Sequence, residues 1–95
     1  MPNRTKKEID DEVAALRCLR PTHRLRHYVQ NRINRVILVL EDGFKLEGPV
    51  WASLSGMERD DVVCALQWRD GIRQERPSVG WTGLAEPIAR PKKLS

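Results

Sequence analysis

The sequence predicts an all-α fold of about three helices, near residues 5–20, 24–42 and 56–70, with an irregular C-terminal tail. Three observations predict it. Two capping boxes, Thr5 with Glu8 and Ser55 with Glu58, mark helix starts. Apolar residues recur at helical spacing behind them. Pro77, Pro87 and Pro91 then punctuate the last third of the chain.

The first helix is the clearest. Ile9, Val13, Leu16 and Leu19 step by four, three and three residues, which gives one apolar stripe. Asp10, Asp11 and Glu12 suit the positive end of the helix dipole, and Arg17 and Arg20 the negative end. Pro21 stops it.

In the second helix, Leu25, Val29, Ile33, Val36 or Ile37, and Leu40 make a core stripe. Arg24, Tyr28, Asn31 and Arg35 stack on the opposite face. Leu38 and Val39 point away from the core, which suggests a second contact such as a subunit interface. The same stretch also fits strands. Val36, Leu38 and Leu40 alternate, Asp42-Gly43 is a hairpin signal, and Phe44 and Leu46 resume the alternation.

Residues 43 to 54 read as a connection broken at Gly48-Pro49, with Trp51 and Leu54 turned into the core. The third helix runs to Gly71 as its C-cap. Its apolar residues, Val62, Val63, Cys64, Ala65, Leu66 and Trp68, lie almost all round it, so it is central or shared with another subunit. Trp81 is expected to anchor the tail on the helices. Residues 1–81 then form one helical domain, and 82–95 an irregular, mobile tail.

Composition limits the function classes. The chain has 95 residues, 40% hydrophobic and 32% charged, which suits one small domain and not a large cofactor-binding enzyme. No apolar run approaches the roughly 20 residues of a membrane span. No apolar stretch follows the charged start, so no secretion signal is expected. Cys18 and Cys64 lie far apart, outside any Cys-x-x-Cys pair, and read as buried free thiols in a reducing cytoplasm.

The net charge is +4, and its distribution says more than its sum. Between Glu12 and Glu41 there is no acid, but there are Arg17, Arg20, Arg24, Arg26, Arg32 and Arg35, with His23 and His27. Arginine suits bidentate contacts to phosphate or carboxylate. This interval is either an anion-binding face or a helix face paired with the acidic helices beside it. On the first reading, Arg24, Arg26, Arg32 and Arg35 are the contacts for nucleic acid or an anionic nucleotide, with Tyr28 available to stack.

Catalytic chemistry has little support. His23 and His27 are i and i+4 without a nearby cysteine or placed carboxylate, so neither a metal site nor another cofactor is expected. Asp60 and Asp61 are adjacent and diverge on a helix. No phosphate-binding glycine loop is present. The expectation is a protein that binds and does not catalyse.

Two resemblances add to this. Val36-Ile-Leu-Val-Leu-Glu-Asp-Gly-Phe-Lys-Leu-Glu-Gly48 looks like the first motif of Sm-like RNA-binding proteins, and implies an α+β alternative with a small barrel. Three collinear blocks resemble a family of small phage- and prophage-encoded proteins. They are residues 3–16 with Leu19-Arg20-Pro21; Ile33 and Ile37 with Val39-Leu40-Glu41-Asp42; and Trp68, Asp70 and Gly71 with Pro77-Ser78-Val79-Gly80-Trp81. Members often carry Pro-Ser-Glu-Gly-Trp in the last block, so Val79 is a departure. This second resemblance implies a helical accessory protein of the host cytoplasm, without a known enzyme activity. It would bind and block or sequester a host defence component, as an anti-CRISPR inhibitor or a signalling-nucleotide sponge does. A homo-oligomer is expected, with no membrane partner. The alternative is nucleic-acid binding through residues 17–35.

Overall fold

A computed structural model describes residues 3–42 and 48–88. It is mostly helical, in the order α1 (Lys6–Arg17), β1 (Leu19–Pro21), α2 (Arg26–Asp42), α3 (Gly48–Ala52), α4 (Gly56–Arg69), a 3-10 turn (Pro77–Trp81) and β2 (Ala85–Pro87). The all-α expectation holds. The Sm-like alternative is overturned, because Val36–Leu40 lies inside α2 and the described residues form no barrel. The hairpin partner expected at Phe44 and Leu46 lies outside the described residues.

Both capping boxes form. The Glu8 amide donates to Thr5 Oγ1 at 3.1 Å, and the Thr5 amide to Glu8 Oε1 at 2.9 Å. Glu58 and Ser55 repeat this at 3.2 and 2.9 Å. Each box satisfies two amides that a helix start leaves without partners. The backbone hydrogen bond from Thr5 holds the Glu8 carboxyl below the ordinary glutamate range.

At its far end α4 closes with a Schellman turn. The Gly71 amide bonds the Trp68 carbonyl and the Ile72 amide bonds the Gln67 carbonyl. This needs a left-handed residue after Asp70, and Gly71 supplies it at φ 80°.

α1 ends earlier than its apolar stripe suggested. Leu19 is buried, but as a strand residue: Leu19, Arg20 and Pro21 pair antiparallel with Pro87, Glu86 and Ala85. A residue before proline is disfavoured in helical geometry, so Pro21 acts on Arg20 as well as on itself. The pairing carries ordered structure past residue 81, and the Ile88 amide reaches the Cys18 carbonyl at 2.7 Å. Residues 89–95, the end of the expected mobile tail, lie outside the described residues.

α2 is central and packs against both α1 and α4. Val29, Ile33, Val36, Ile37 and Leu40 are buried as expected. Two expectations fail. Leu25 precedes the helix and is 56% exposed. Its amide donates to His23 Nδ1 in the turn that sets the start of α2 at Arg26. Val39 is fully buried, because a helix flanked on two sides buries more than a single stripe. Leu38 does stay half-exposed.

The expected connection contains the five-residue α3. Leu54 is buried and Trp51 packs on the core as predicted. Trp81 is buried too, and pins the segment after α4. Both thiols are free, but neither is fully buried. Cys18 caps the C-terminal end of α1 and is exposed, and Cys64 is half-buried.

Candidate anion-binding site

The arginine interval divides into spent and free cations. Arg32 is spent. It sits mid-helix on α2 with its side chain 8% exposed, and grips Asp61 of α4 through Nε to Oδ2 at 2.7 Å and Nη2 to Oδ1 at 2.9 Å. Its guanidinium also lies over Trp81 at 4.8 Å and over Tyr28 at 5.6 Å from the ring centres. The Asp61 hydrogen bonds raise the Arg32 pKa above its ordinary value, against the opposing effect of burial. A guanidinium packed this way is not available to a ligand, so Arg32 drops out of the expected contact set.

Arg35 is also held. Its Nε donates to Glu58 Oε2 at 3.0 Å. Glu58 is the capping-box residue of α4, so one carboxylate closes a helix start and receives a neighbouring helix. The Ser55 amide first, and Arg35 after it, lower the Glu58 pKa. Arg17 meets Glu41 at 2.8 Å on the surface. Asp61 and Glu58 come from far along the chain, so their pairing was invisible in a stretch that itself holds no acid. Asp61 also serves as a structural acceptor, and Asp60 is exposed beside it.

What remains is a compact run of sequence at the start of α2. Arg20 is exposed on β1, Arg24 is exposed in the turn, and Arg26 and His27 are the first two residues of the helix. None of these makes an ion pair among the described residues. Arg20 stands opposite Glu86 in the strand register, the nearest counter-charge that the pairing supplies. Tyr28 follows one turn into α2 from Arg24, 37% exposed, with its hydroxyl donating to Met57 Sδ at 3.7 Å. Asn31, the fourth member of the expected ridge, is exposed.

The placement of these cations is locally unfavourable. A helix N-terminus carries partial positive charge and prefers acids. The first turn of α2 has none, and holds Arg26 and His27 instead. α1 and α4 each place a glutamate there. A local rule broken without a visible compensation marks a functional candidate. An anion docked at this corner would meet the exposed arginines and the helix-end amides together.

His23 Nδ1 is already an acceptor for the Leu25 amide. Among the described residues, no group of three or more histidine, cysteine, aspartate or glutamate side chains is arranged to hold a metal ion.

The sequence reading missed several polar side chains. Each tryptophan carries an arginine over its ring: Arg59 on Trp51 at 5.1 Å, Arg4 on Trp68 at 5.1 Å and Arg32 on Trp81. Arg4 also donates to the Trp68 and Arg73 carbonyls at 3.0 Å each, closing the end of α4 from the other end of the chain. Glu12 was expected with Asp10 and Asp11 as helix-start charge. Those two are exposed and pair with Lys6 and Lys7, but Glu12 is buried and accepts from the Ser78 amide. The only local signal for it is its place on the Ile9–Val13–Leu16 side of α1.

Comparison with protein-family models, curated protein sequences and solved structures found no match for this chain.

Proposed function

We propose that this chain is a non-enzymatic, phage-type accessory protein that sequesters an anionic component of a host defence, held at the cationic start of α2. The observation that carries the reading is Arg24 and Arg26, exposed and without ion-pair partners among the described residues, at the positive end of a 17-residue helix, with Arg20 exposed on β1 before it. Three collinear sequence blocks support the phage setting, and with it the host cytoplasm. No helix among the described residues is long and apolar enough to cross a membrane. Half-exposed Leu38 and exposed Leu25 support a homo-oligomer.

A nucleotide signal fits this corner best, because its phosphates suit arginine and the part-exposed Tyr28 follows the arginines in sequence. The test is thermal unfolding with cyclic di- and trinucleotides, since a ligand that binds only the folded chain raises its melting temperature. The expected result is a saturable rise that Arg24→Glu plus Arg26→Glu abolishes. No rise with any nucleotide, in a protein that protects no phage from a nucleotide-signalling defence, would sink the reading.

A second reading is nucleic-acid binding by the same corner, favoured by the part-exposed Tyr28 beside the arginines. Three exposed arginines predict a log–log salt slope of about −2 on single strands, less steep than the whole arginine interval would give. An affinity for long single strands far above that for a dinucleotide would decide in its favour.

A further inference from the structure

Away from the arginine corner, one buried side-chain acceptor lacks a donor among the described residues. The Glu12 side chain is 1% exposed. Its Oε2 receives the Ser78 amide, which fastens the 3-10 turn to α1. Its Oε1 has no hydrogen-bond partner. Buried carboxylate oxygens are ordinarily satisfied, so an orphan calls for a missing donor. The nearest cation is Arg76 Nε at 3.9 Å, too far for a hydrogen bond, on a side chain 60% exposed.

Glu12 and Arg76 line a cleft of about 320 Å³ with Arg4, Glu8, Asp11, Trp68 and Gln74. The other charges there are engaged. Arg4 is bonded to two carbonyls and stacked on Trp68. Glu8 serves the capping box and lies 3.8 Å from Arg4. Asp11 pairs with Lys7. Three carboxylates therefore share the cleft with two cations, and the unmet demand is for a donor at Glu12 Oε1.

We propose that this cleft binds a guanidinium or ammonium group, which donates to Glu12 Oε1 while the loosely held Arg76 side chain moves aside. None of the residues lining this cleft belongs to the anion site at the start of α2. Two sources present this chemistry: a free polyamine, or a lysine or arginine side chain of a partner protein.

The test titrates the full chain with agmatine in one arm and an acetylated, amidated Gly-Arg-Gly peptide in the other. The readout is the Ser78 amide resonance in a nitrogen–proton correlation spectrum, because that amide shares the Glu12 carboxylate. The expected result is a saturable Ser78 shift in at least one arm. Tighter binding by agmatine assigns a polyamine, and tighter binding by the peptide assigns a partner's side chain. Arg76→Ala removes the competing internal cation from an exposed position, and is expected to tighten binding at least threefold. Glu12→Gln is expected to abolish it. Should Glu12→Gln fail to fold, the Arg76→Ala result decides alone. No saturable shift in either arm, or unchanged or weaker binding in Arg76→Ala, overturns the proposal.

Discussion

The two ends of the arginine interval use the same residue type in opposite ways. Arg32 and Arg35 face α4, where Asp61 and Glu58 meet them, and become part of the packing between helices. Arg24 and Arg26 lie where α4 supplies no acid, and stay in solvent. The lesson is that an acid-free stretch of sequence is not a free cationic surface. Its counter-charges can arrive from another helix, and only the stretch that no such helix reaches is left in solvent. Burial also changes what a pair contributes. Exposed Arg17–Glu41 contributes at most about 1 kcal/mol, whereas removing one partner of a buried pair leaves an uncompensated charge.

The sharpest way to break the contrast is Asp61→Ala. It leaves the Arg32 guanidinium buried without its acceptor, and should destabilise the fold by about 4 kcal/mol in urea unfolding. Arg32→Met with Asp61→Leu should recover most of that loss. A loss below about 1 kcal/mol from Asp61→Ala would mean that Arg32 swings into solvent and belongs with the free cations after all.

Trp81→Ala should cost about 3 kcal/mol, from a large buried side chain and the ring under Arg32. Retention of the wild-type urea midpoint would remove Trp81 as an anchor.

Ser55→Ala removes one cap and should cost about 1 kcal/mol. The companion test is pH. Glu8 and Glu58 have lowered values in the folded chain. The unfolded chain therefore binds protons first as the solution is acidified. Their contribution is complete above the ordinary glutamate value of about 4.3 and is lost as pH falls through the lowered folded values. Acid unfolding followed by circular dichroism should show this, with Glu58→Gln flattening the dependence below the ordinary glutamate value. An identical pH profile in that variant would contradict the shared role of Glu58.

The smallest stability effect belongs to the free end. Arg26→Glu places an acid at a helix start, and should raise stability by about 0.5 kcal/mol while weakening anion binding. A variant that gained stability and kept its affinity would move the site away from α2.

Much of the fold was legible locally. Thr5 with Glu8, Ser55 with Glu58 and Gly71 are signals whose physics acts within four residues, so the starts of α1 and α4 and the end of α4 fall where the sequence places them. The core stripe of α2 was legible for the same reason, from Val29 to Leu40. Leu25 and Val39 were misread because helical spacing gives one face of an isolated helix. It does not say where the helix begins or how many neighbours it has.

The site was legible as an excess of arginine, and not as a list of contacts. Arg24, Arg26 and Tyr28 keep the exposure the sequence suggested. Arg32 and Arg35 were removed from the set by carboxylates on α4, which no local pattern connects to them. Glu12 shows the same limit with the sign reversed: a residue that reads as helix-start charge is buried under a turn from the far end of the chain. The helical class, the caps and the charge imbalance follow from local sequence, because these depend on neighbours within a turn or two. Tertiary structure alone decided which charges are spent, since a guanidinium or carboxylate is neutralised by whatever the folded chain brings within about 3 Å of it.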